Sequence, residues 1–568
     1  MKASRILVVL PITFTLLFQA ASARAQSSSS FAKDFLERYH PPKVPSSNPQ
    51  PVATPQELAE LVRGGQLSLT MSDLVNLILQ NNLDVRVDRL SPLSSQYLIN
   101  TFYRTFEPNI HFQATVNRDT QPATTVLAGA ANPSTLSGTY GVGFSQSLLT
   151  GTIVGIDATM IRTSSNSTFS TLNPFWIGSL RYSFTQHLAR DFGRNTNAHQ
   201  IRVAKINEQI SEFQFERQLM DLVAQAQRSY WDLVFSAEDI KVKQRSVDLA
   251  QKTFSDNQSL AKVGALAPID LVQAESEVAN RRVQFVTSSY TEIQTQDQVK
   301  KLLTSQSDPG TITAKLLPVQ GVRKPDPSDV LSVEEAIKVA LENRPEIKQI
   351  QLDLESKKVD YEYTRNQMLP TVDLIAAYTQ TGVSGAPAAD AGGLLGGGGV
   401  IVNPDLIGGL GTAFRQAFTY NYTGYSAGIS IQIPLSNRAA RADNARAATD
   451  KRISENRLTA QAQQIALEVR NALTQVEMNK AKIDAAEIAR ELAERRLEAE
   501  QRKFDLGAST IRFVLEEQRN VAQAQTDALQ SLVNYTKSLV DFDRAIGMTL
   551  KKNNIEVDKA LNLGAALR

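Results

Sequence analysis

LSVEEAIKVALENRPEIKQIQLDLE, Leu331–Glu355, has a counterpart near the start of the chain: LTMSDLVNLILQNNLDVRVDRLSPL, Leu69–Leu93. Leu69 matches Leu331, Leu79 matches Leu341, Asn81 matches Asn343 and Pro108 matches Pro370, all at one offset of 262 residues. Downstream, Gly264 matches Gly507 at an offset of 243, so the first half carries about 19 extra residues between its proline and its glycine. A period this long is a duplicated domain half, not a solenoid repeat.

Each copy has the same order of elements. A short helix leads into a longer one that ends before Pro108 or Pro370, as a proline requires. The apolar period then changes from helical to alternating. Ile110, Phe112, Ala114 and Val116 alternate with His111, Gln113, Thr115 and Asn117, and Leu180, Tyr182 and Phe184 alternate with Arg181, Ser183 and Thr185. In copy two, Val372, Leu374, Ala376 and Tyr378 share a face, as do Tyr425, Ala427, Ile429, Ile431 and Ile433. Such segments are strands with one apolar and one polar face. A further pair, GVGFSQSL and IVGIDATMI joined at LTGT, occurs in copy one alone, and the alternation predicts a β-hairpin over about 139–163. Each chain then has four strands, or six if this pair joins them.

A long helical region follows in each copy, from about Asn195 to Leu303, broken at KVGALAP, and from about Ala439 to Ile546, broken at FDLGAST. A 60-residue arm spans roughly 90 Å at 1.5 Å per residue, which fits a coiled-coil hairpin. Leu271, Val278 and Phe285 are spaced by seven, as are Val514, Val521 and Ala528, with Leu532, Leu539 and Ile546 continuing the stripe.

Composition excludes several classes. The 568 residues contain no cysteine, hence no disulfide, thiolate metal site or thiol nucleophile, and the four histidines make no metal-ligand spacing. The formal charge of +2 excludes the basic excess of a nucleic-acid binder. No Ser-His-Asp order or phosphate-cradling glycine loop marks an enzyme, and no cofactor is expected. MKASR, the apolar ILVVLPITFTLLF and Ala23-Arg24-Ala25 read as a secretory signal over 1–25, cut near Ala25. Residues 26–66, rich in Ser and Pro, read as a linker. The duplication divides the rest into repeats at 67–320 and 331–551 with a tail at 552–568. The Gly-rich stretch within 381–424 reads as a flexible surface loop, with a plug over a pore as the other reading.

Four strands of about ten residues suit a tilted barrel, but single-chain barrels start at about eight, and open edges are not viable in lipid. Several chains must therefore share one barrel. The order of leader, helix pair, strand hairpin and long hairpin broken at glycine, twice over, resembles the TolC-like outer-membrane efflux channel family across about 67–551. LSVEEAIKVALENRPEI, MLPTVDL, GISIQIPLSN and FDLGASTIRFVLEEQ carry the likeness in copy two, and VGALAPIDLVQAESEVA in copy one. LRYSFTQHLARDFGRN resembles the strand-to-helix corner, with His187 where a proline is usual.

The resemblance implies a mixed α and β membrane protein. A homotrimer would place four strands per protomer in a twelve-stranded barrel in outer-membrane lipid and four helical arms per protomer in a periplasmic tunnel. It would dock an inner-membrane transporter and a periplasmic adaptor, exporting small molecules or proteins. The alternative from another class is a periplasmic adaptor, which has one hairpin.

The resemblance also places the hairpin turns, Gly264 and Gly507, at the tunnel mouth. Where the family carries two carboxylates after the second turn, this chain has Phe513 and Glu516, with Glu517 following and Asp270 at the matching site of copy one. Repeated threefold, such groups would favour cations. Asp270 also reads as a first-turn acid complementing its helix dipole, and Glu516 and Glu517 as a solvated flank. The family's closing tyrosine and arginine are Phe504 and Ser509 here, which leaves Arg512 to meet a carboxylate in their place.

Overall fold

In this computed structural model, residues 37–40, 62–63, 65–125, 128–264, 266–303, 313–326, 329–388 and 402–557 are described. The expected signal 1–25, most of the linker 26–66, the middle of the Gly-rich stretch and the end of the tail lie outside them. The chain runs β1 (Val62–Arg63), β2 (Gln66–Leu69), α1 (Met71–Asn81), α2 (Leu83–Phe102), β3 (Asn109–Thr120), β4 (Ser134–Ser147), β5 (Thr152–Ser165) and β6 (Leu172–His187). There follow a short turn of helix α3 (Arg194–Asn197), the long α4 (His199–Lys262), α5 (Pro268–Leu303) and β7 (Lys315–Pro318). Copy two supplies α6 (Val333–Asn343), α7 (Pro345–Gln367), β8 (Thr371–Pro387), α8 (Leu410–Ala417), β9 (Thr423–Gln432), α9 (Arg438–Asp505), α10 (Ile511–Ala545) and a last turn α11 (Thr549–Lys552).

Both leading helices are capped by a hydroxyl that bonds an acid three residues on. Asp73 N–H donates to the Thr70 hydroxyl oxygen and Thr70 N–H donates to the Asp73 carboxylate, each at 3.2 Å. In copy two Glu335 N–H donates to Ser332 Oγ at 3.3 Å and Ser332 Oγ donates to Glu335 at 3.0 Å. Such caps satisfy donors that the first helical turn leaves free. α1 buries Leu74, Leu77 and Ile78 against Tyr230, Leu233 and Leu303. α6 buries Ala336 and Ala340 against Ile465, Val469 and Leu473 of α9.

The end of the linker is structured: β1 pairs with β2, and β2 lies parallel to β7. Sequence reasoning missed this small sheet. It ties the start of copy one to the segment joining the copies, and Tyr230 fixes it by donating to Leu69 O and accepting from Gln320 N–H, both at 3.1 Å.

The strands form one six-stranded sheet in the order β3-β4-β5-β6-β8-β9, antiparallel throughout. The copy-one hairpin β4–β5 is inserted between β3 and β6, so the sheet of one chain has six strands, not the four per protomer that the resemblance implied. The ladder places Phe112, Val142, Ala158, Leu180 and Gln380 side by side on one face. One residue along, His111, Gly143, Asp157 and Arg181 line the other. The apolar alternation of every strand is thereby gathered onto a single surface.

α4 and α5 form one antiparallel hairpin and α9 and α10 the other, with α2 alongside α4 and α7 between α4 and α9. α4 has 64 residues and α9 has 68, about 100 Å each. The seven-residue stripe faces inward: Val278, Val514 and Ala528 are buried. No helix among the described residues is long and apolar enough to cross a membrane.

Candidate pore lining and tunnel mouth

The polar face carries a charged row at one height. Register aligns His111 of β3 with Gly143 of β4, Gly143 with Asp157 of β5, and Asp157 with Arg181 of β6. His111 Nε2 reaches across β4 to within 3.5 Å of Asp157 Oδ1. This reach needs a glycine between them: a Cβ at Gly143 would lie 2.1 Å from the imidazole and 2.4 Å from the carboxylate. Nearer the helices, His187 Nδ1 lies 2.7 Å from Asp373 Oδ1, pinning β6 to β8 on the same face. The histidine at the corner where the resemblance leads one to expect proline therefore ties the two copies' strands together. Sequence reasoning missed the His111–Asp157 pair, because its members become neighbours through the register of three strands.

At the far end of the hairpins the chain turns at Gly264 and Gly507, with φ of +76° and +74°. Both are in the left-handed region that side chains disfavour. At the second turn Ala508 N–H donates to Lys503 O at 2.8 Å and Gly507 N–H donates to Phe504 O at 2.9 Å, the pattern that closes a helix on a glycine. Ser509, at the family's arginine position, donates to Glu500. That bond, then Lys503, holds the Glu500 carboxyl below its usual value.

Phe504 lies in an apolar cluster with Ile511, Val514, Leu515 and Leu497 of the second hairpin and Phe254 and Ala274 of the first. The two hairpin ends are thus packed together within one chain, and Asp270 sits one turn before Ala274 in the first turn of α5. Arg512 and Glu516 are exposed on α10, Glu517 is half-buried, and Phe513 is 51% exposed. Phe504 therefore belongs to the packing and Phe513 does not. Among the described residues of one chain no ion pair joins Asp270 to Arg512.

A second link between the hairpins had no distinct sequence signal. Arg281 Nε lies 2.7 Å from Glu277, with both side chains buried, and Arg519 of α10 reaches the other Glu277 oxygen at 3.2 Å. A Glu and an Arg four residues apart read as an ordinary solvated helix pair. Higher up, Asp239 accepts from Ser288 Oγ at 2.6 Å and from Thr526 Oγ1 at 3.1 Å, joining α4, α5 and α10.

The described end of the 381–424 stretch is helical rather than loop. Leu410–Ala417 is a helix packed on β6 and β8. A Cβ at Gly382 would lie 2.0 Å from Ala413 O, and one at Gly178 would lie 3.4 Å from the same atom. These two glycines pair on the apolar face, so α8 packs on that face over β6 and β8. Residues 389–401 lie outside the described chain.

The fold is shared with solved structures, and part of the chain matches a known family. Residues 336–548 match the outer membrane efflux protein family. A membrane protein from Pseudomonas aeruginosa superposes with a TM-score of 0.59 at 16% identity, covering 86% of this chain and 91% of that one. The CmeC outer membrane channel of Campylobacter jejuni gives 0.59 at 15% identity, covering 87% and 89%. The outer membrane protein VceC of Vibrio cholerae gives 0.58 at 13% identity, covering 84% and 96%. No curated protein matches the chain. The likeness to TolC-like outer-membrane efflux channels read from the sequence is borne out, and nothing in these matches favours the adaptor alternative.

Proposed function

We propose that three copies of this chain close one barrel in the outer membrane and one helical tunnel beneath it. The assembly exports small molecules or proteins handed over by an inner-membrane transporter through a periplasmic adaptor. The observation that carries this reading is the sheet: six strands, one apolar and one polar face, and two open edges. Six strands are too few to close alone, and an open edge is not tolerated in lipid. β3 leads away from the helices and β9 leads back to them, so β3 of one copy meets β9 of the next antiparallel, and the ring closes without a mismatch of direction.

Three copies then contribute eighteen strands, not twelve. That number falls in the porin range, in which a barrel encloses an aqueous channel. The apolar face meets lipid, and the row of His111, Asp157 and Arg181 lines the bore. At the other end, Asp270, Arg512, Glu516 and Glu517 form the mouth, with Phe504 holding the two hairpins of each chain together. Arg512 lies in the first turn of α10, where a cation opposes the helix dipole, and it meets Asp270 of the neighbouring chain.

The chain has no cysteine, so engineered pairs give an unambiguous test. Thr115→Cys in β3 combined with Ser426→Cys in β9 and flanking pairs should yield a covalent trimer on oxidation in detergent. A monodisperse monomer that still conducts in planar bilayers overturns the reading.

A further inference from the structure

The apolar face ends in positive charge at the edge remote from the helices. Arg118 follows Val116 on β3, and Val116 is aligned through Gly138 with Arg162 of β5. Arg162 is aligned in turn with Trp176 and lies 5.9 Å over its ring. Trp176 is aligned with Ser384, whose hydroxyl donates at 2.7 Å to Gly409 O just ahead of α8. Arg118, Arg162 and α8 with its exposed Arg415 therefore stand within two rungs of one another, all on the apolar side.

Among the described residues no ion pair reaches any of the three arginines. Arg118 Nε donates to Ser134 Oγ at 3.2 Å, and among the described residues the rest of its guanidinium has no other partner. Of the described acids at this end, Asp119 falls on the polar face, where it accepts from Gln121 at 2.7 Å, and Asp405 lies in the turn ahead of α8; Asp390 lies outside the described residues. The helix itself is amphipathic. Ala413 and Ala417 are buried on the sheet, while Leu410 and Phe418 are 42% and 50% exposed.

We propose that this rim binds the phosphate groups of anionic lipids in the outer leaflet, with α8 lying in the headgroup layer as a clamp. The inference rests on the barrel reading above and goes beyond it to the lipid the barrel selects. An arginine on the lipid face of a barrel is costly at the midplane and nearly free at the interface. Arg162 is ten residues beyond Thr152 in β5, about 24 Å of height at a 45° tilt, which sets it at the top of an apolar band of barrel height. A planar guanidinium matches a phosphate with two parallel hydrogen bonds. Three guanidinium groups per copy without a carboxylate partner among the described residues, beside Trp176 and the exposed apolar side of α8, are complementary to a phosphorylated headgroup above an acyl chain.

The test is native mass spectrometry of the full-length complex extracted from phosphatidylcholine nanodiscs containing either diphosphoryl lipid A or its dephosphorylated form. The native chain should retain the phosphorylated lipid and at least about tenfold less of the dephosphorylated one. The triple variant Arg118→Gln, Arg162→Gln, Arg415→Gln should lose the same preference. Equal retention of the two lipids by the native trimer overturns the inference whether or not the variant folds, and so does an unchanged preference in a folded variant. Displacement of the lipid by millimolar inorganic phosphate overturns it in favour of a free-anion site. The masses separate the two proposals: a native chain that yields no trimer overturns the barrel reading and this inference together, whereas a lipid-indifferent trimer overturns this one alone.

Discussion

Asn82 and Arg344 occupy the same place in the two copies, 262 residues apart, and each joins a short helix to a long one. In copy one the Asn82 carbonyl oxygen accepts from Asp84 N–H at 2.8 Å and from Val85 N–H at 3.2 Å, and its amide donates to Leu302 O at 3.0 Å. A neutral side chain thus caps α2 and fastens it to the end of α5. In copy two Arg344 is 5% exposed and is held by Glu346 at 2.7 Å and by Glu468 of α9. Pro345 follows it and opens α7 with one fewer N–H in need of a cap acceptor.

The neighbouring helices explain the difference. α1 presents fully buried leucines to its core, whereas α6 presents Ala336 and Ala340, which supply less apolar area to the joint. The same junction can be held by packing around a neutral cap, or by thinner packing plus a buried ionic link. The two solutions fail in different ways.

Removing Arg344 should have the larger effect. Breaking a buried pair by deleting one partner costs about 3–5 kcal/mol because the other charge is left without its counterion. Glu468 keeps 39% of its side-chain exposure, so for Arg344→Ala we expect the lower end, about 3 kcal/mol. Urea unfolding of the detergent-solubilised protein measures it. The comparison sharpens with a second variant: Arg344→Asn with Glu346→Gln and Glu468→Gln removes the arginine and both carboxylates it holds, and should recover part of the loss. No recovery would mean that packing, not the unpaired carboxylate, sets the cost.

Acid should attack copy two first. Burial pushes the Glu468 carboxyl up, but hydrogen bonds from Arg344 and Gln464 and the attraction of Arg344 outweigh it, and the folded value lies below the ordinary 4.5. A carboxyl depressed on folding stabilises the folded chain above its unfolded value, and that stabilisation is lost as pH falls through the folded one. Stability should therefore decline below about pH 4.5 in the native chain, with a shallower decline in Glu468→Gln. Equal slopes would remove the ionic account of this joint.

Asn82→Ala should cost less, about 0.5–2 kcal/mol, the usual range for a lost helix cap. Its effect should not change between neutral and acid pH, since no charge is involved. A pH-dependent loss there would mean that the two junctions are not the separate solutions described above.

How much of this was legible depended on range. The glycine breaks and the alternation at Ile110–Val116 are local patterns, and local sequence was enough to read them. Gly143 is different: its role as the gap between His111 and Asp157 exists once three strands are in register. Glu277 and Arg281 have the spacing of a surface pair, and the approach of α10 buries them. α8 was hidden because eight residues in a Gly-rich stretch carry little helical signal. Gly178 and Gly382, far away in sequence, provide the flat ground on which it docks.

The smallest effect separates the two hairpin ends. α5 has an acid, Asp270, in its first turn and α10 has none, with exposed Arg512 in its place. One helix start suits its own dipole and the other opposes it, so Arg512 is the group that gains most from a carboxylate on a neighbouring chain. An exposed pair contributes about 0–1 kcal/mol, repeated at each of the three chain contacts of the proposed mouth. Arg512→Ala should therefore leave urea stability within about 0.5 kcal/mol of the native chain while raising single-channel conductance in planar bilayers. The increase should be larger at 0.1 M salt, where the screening length is about 10 Å, than at 1 M, where it is about 3 Å. Conductance unchanged at low salt would remove the ionic latch. The cluster of Phe504, Ile511, Val514 and Leu515 against Ala274 would then hold the mouth, and Phe504→Ala would become the substitution that opens it.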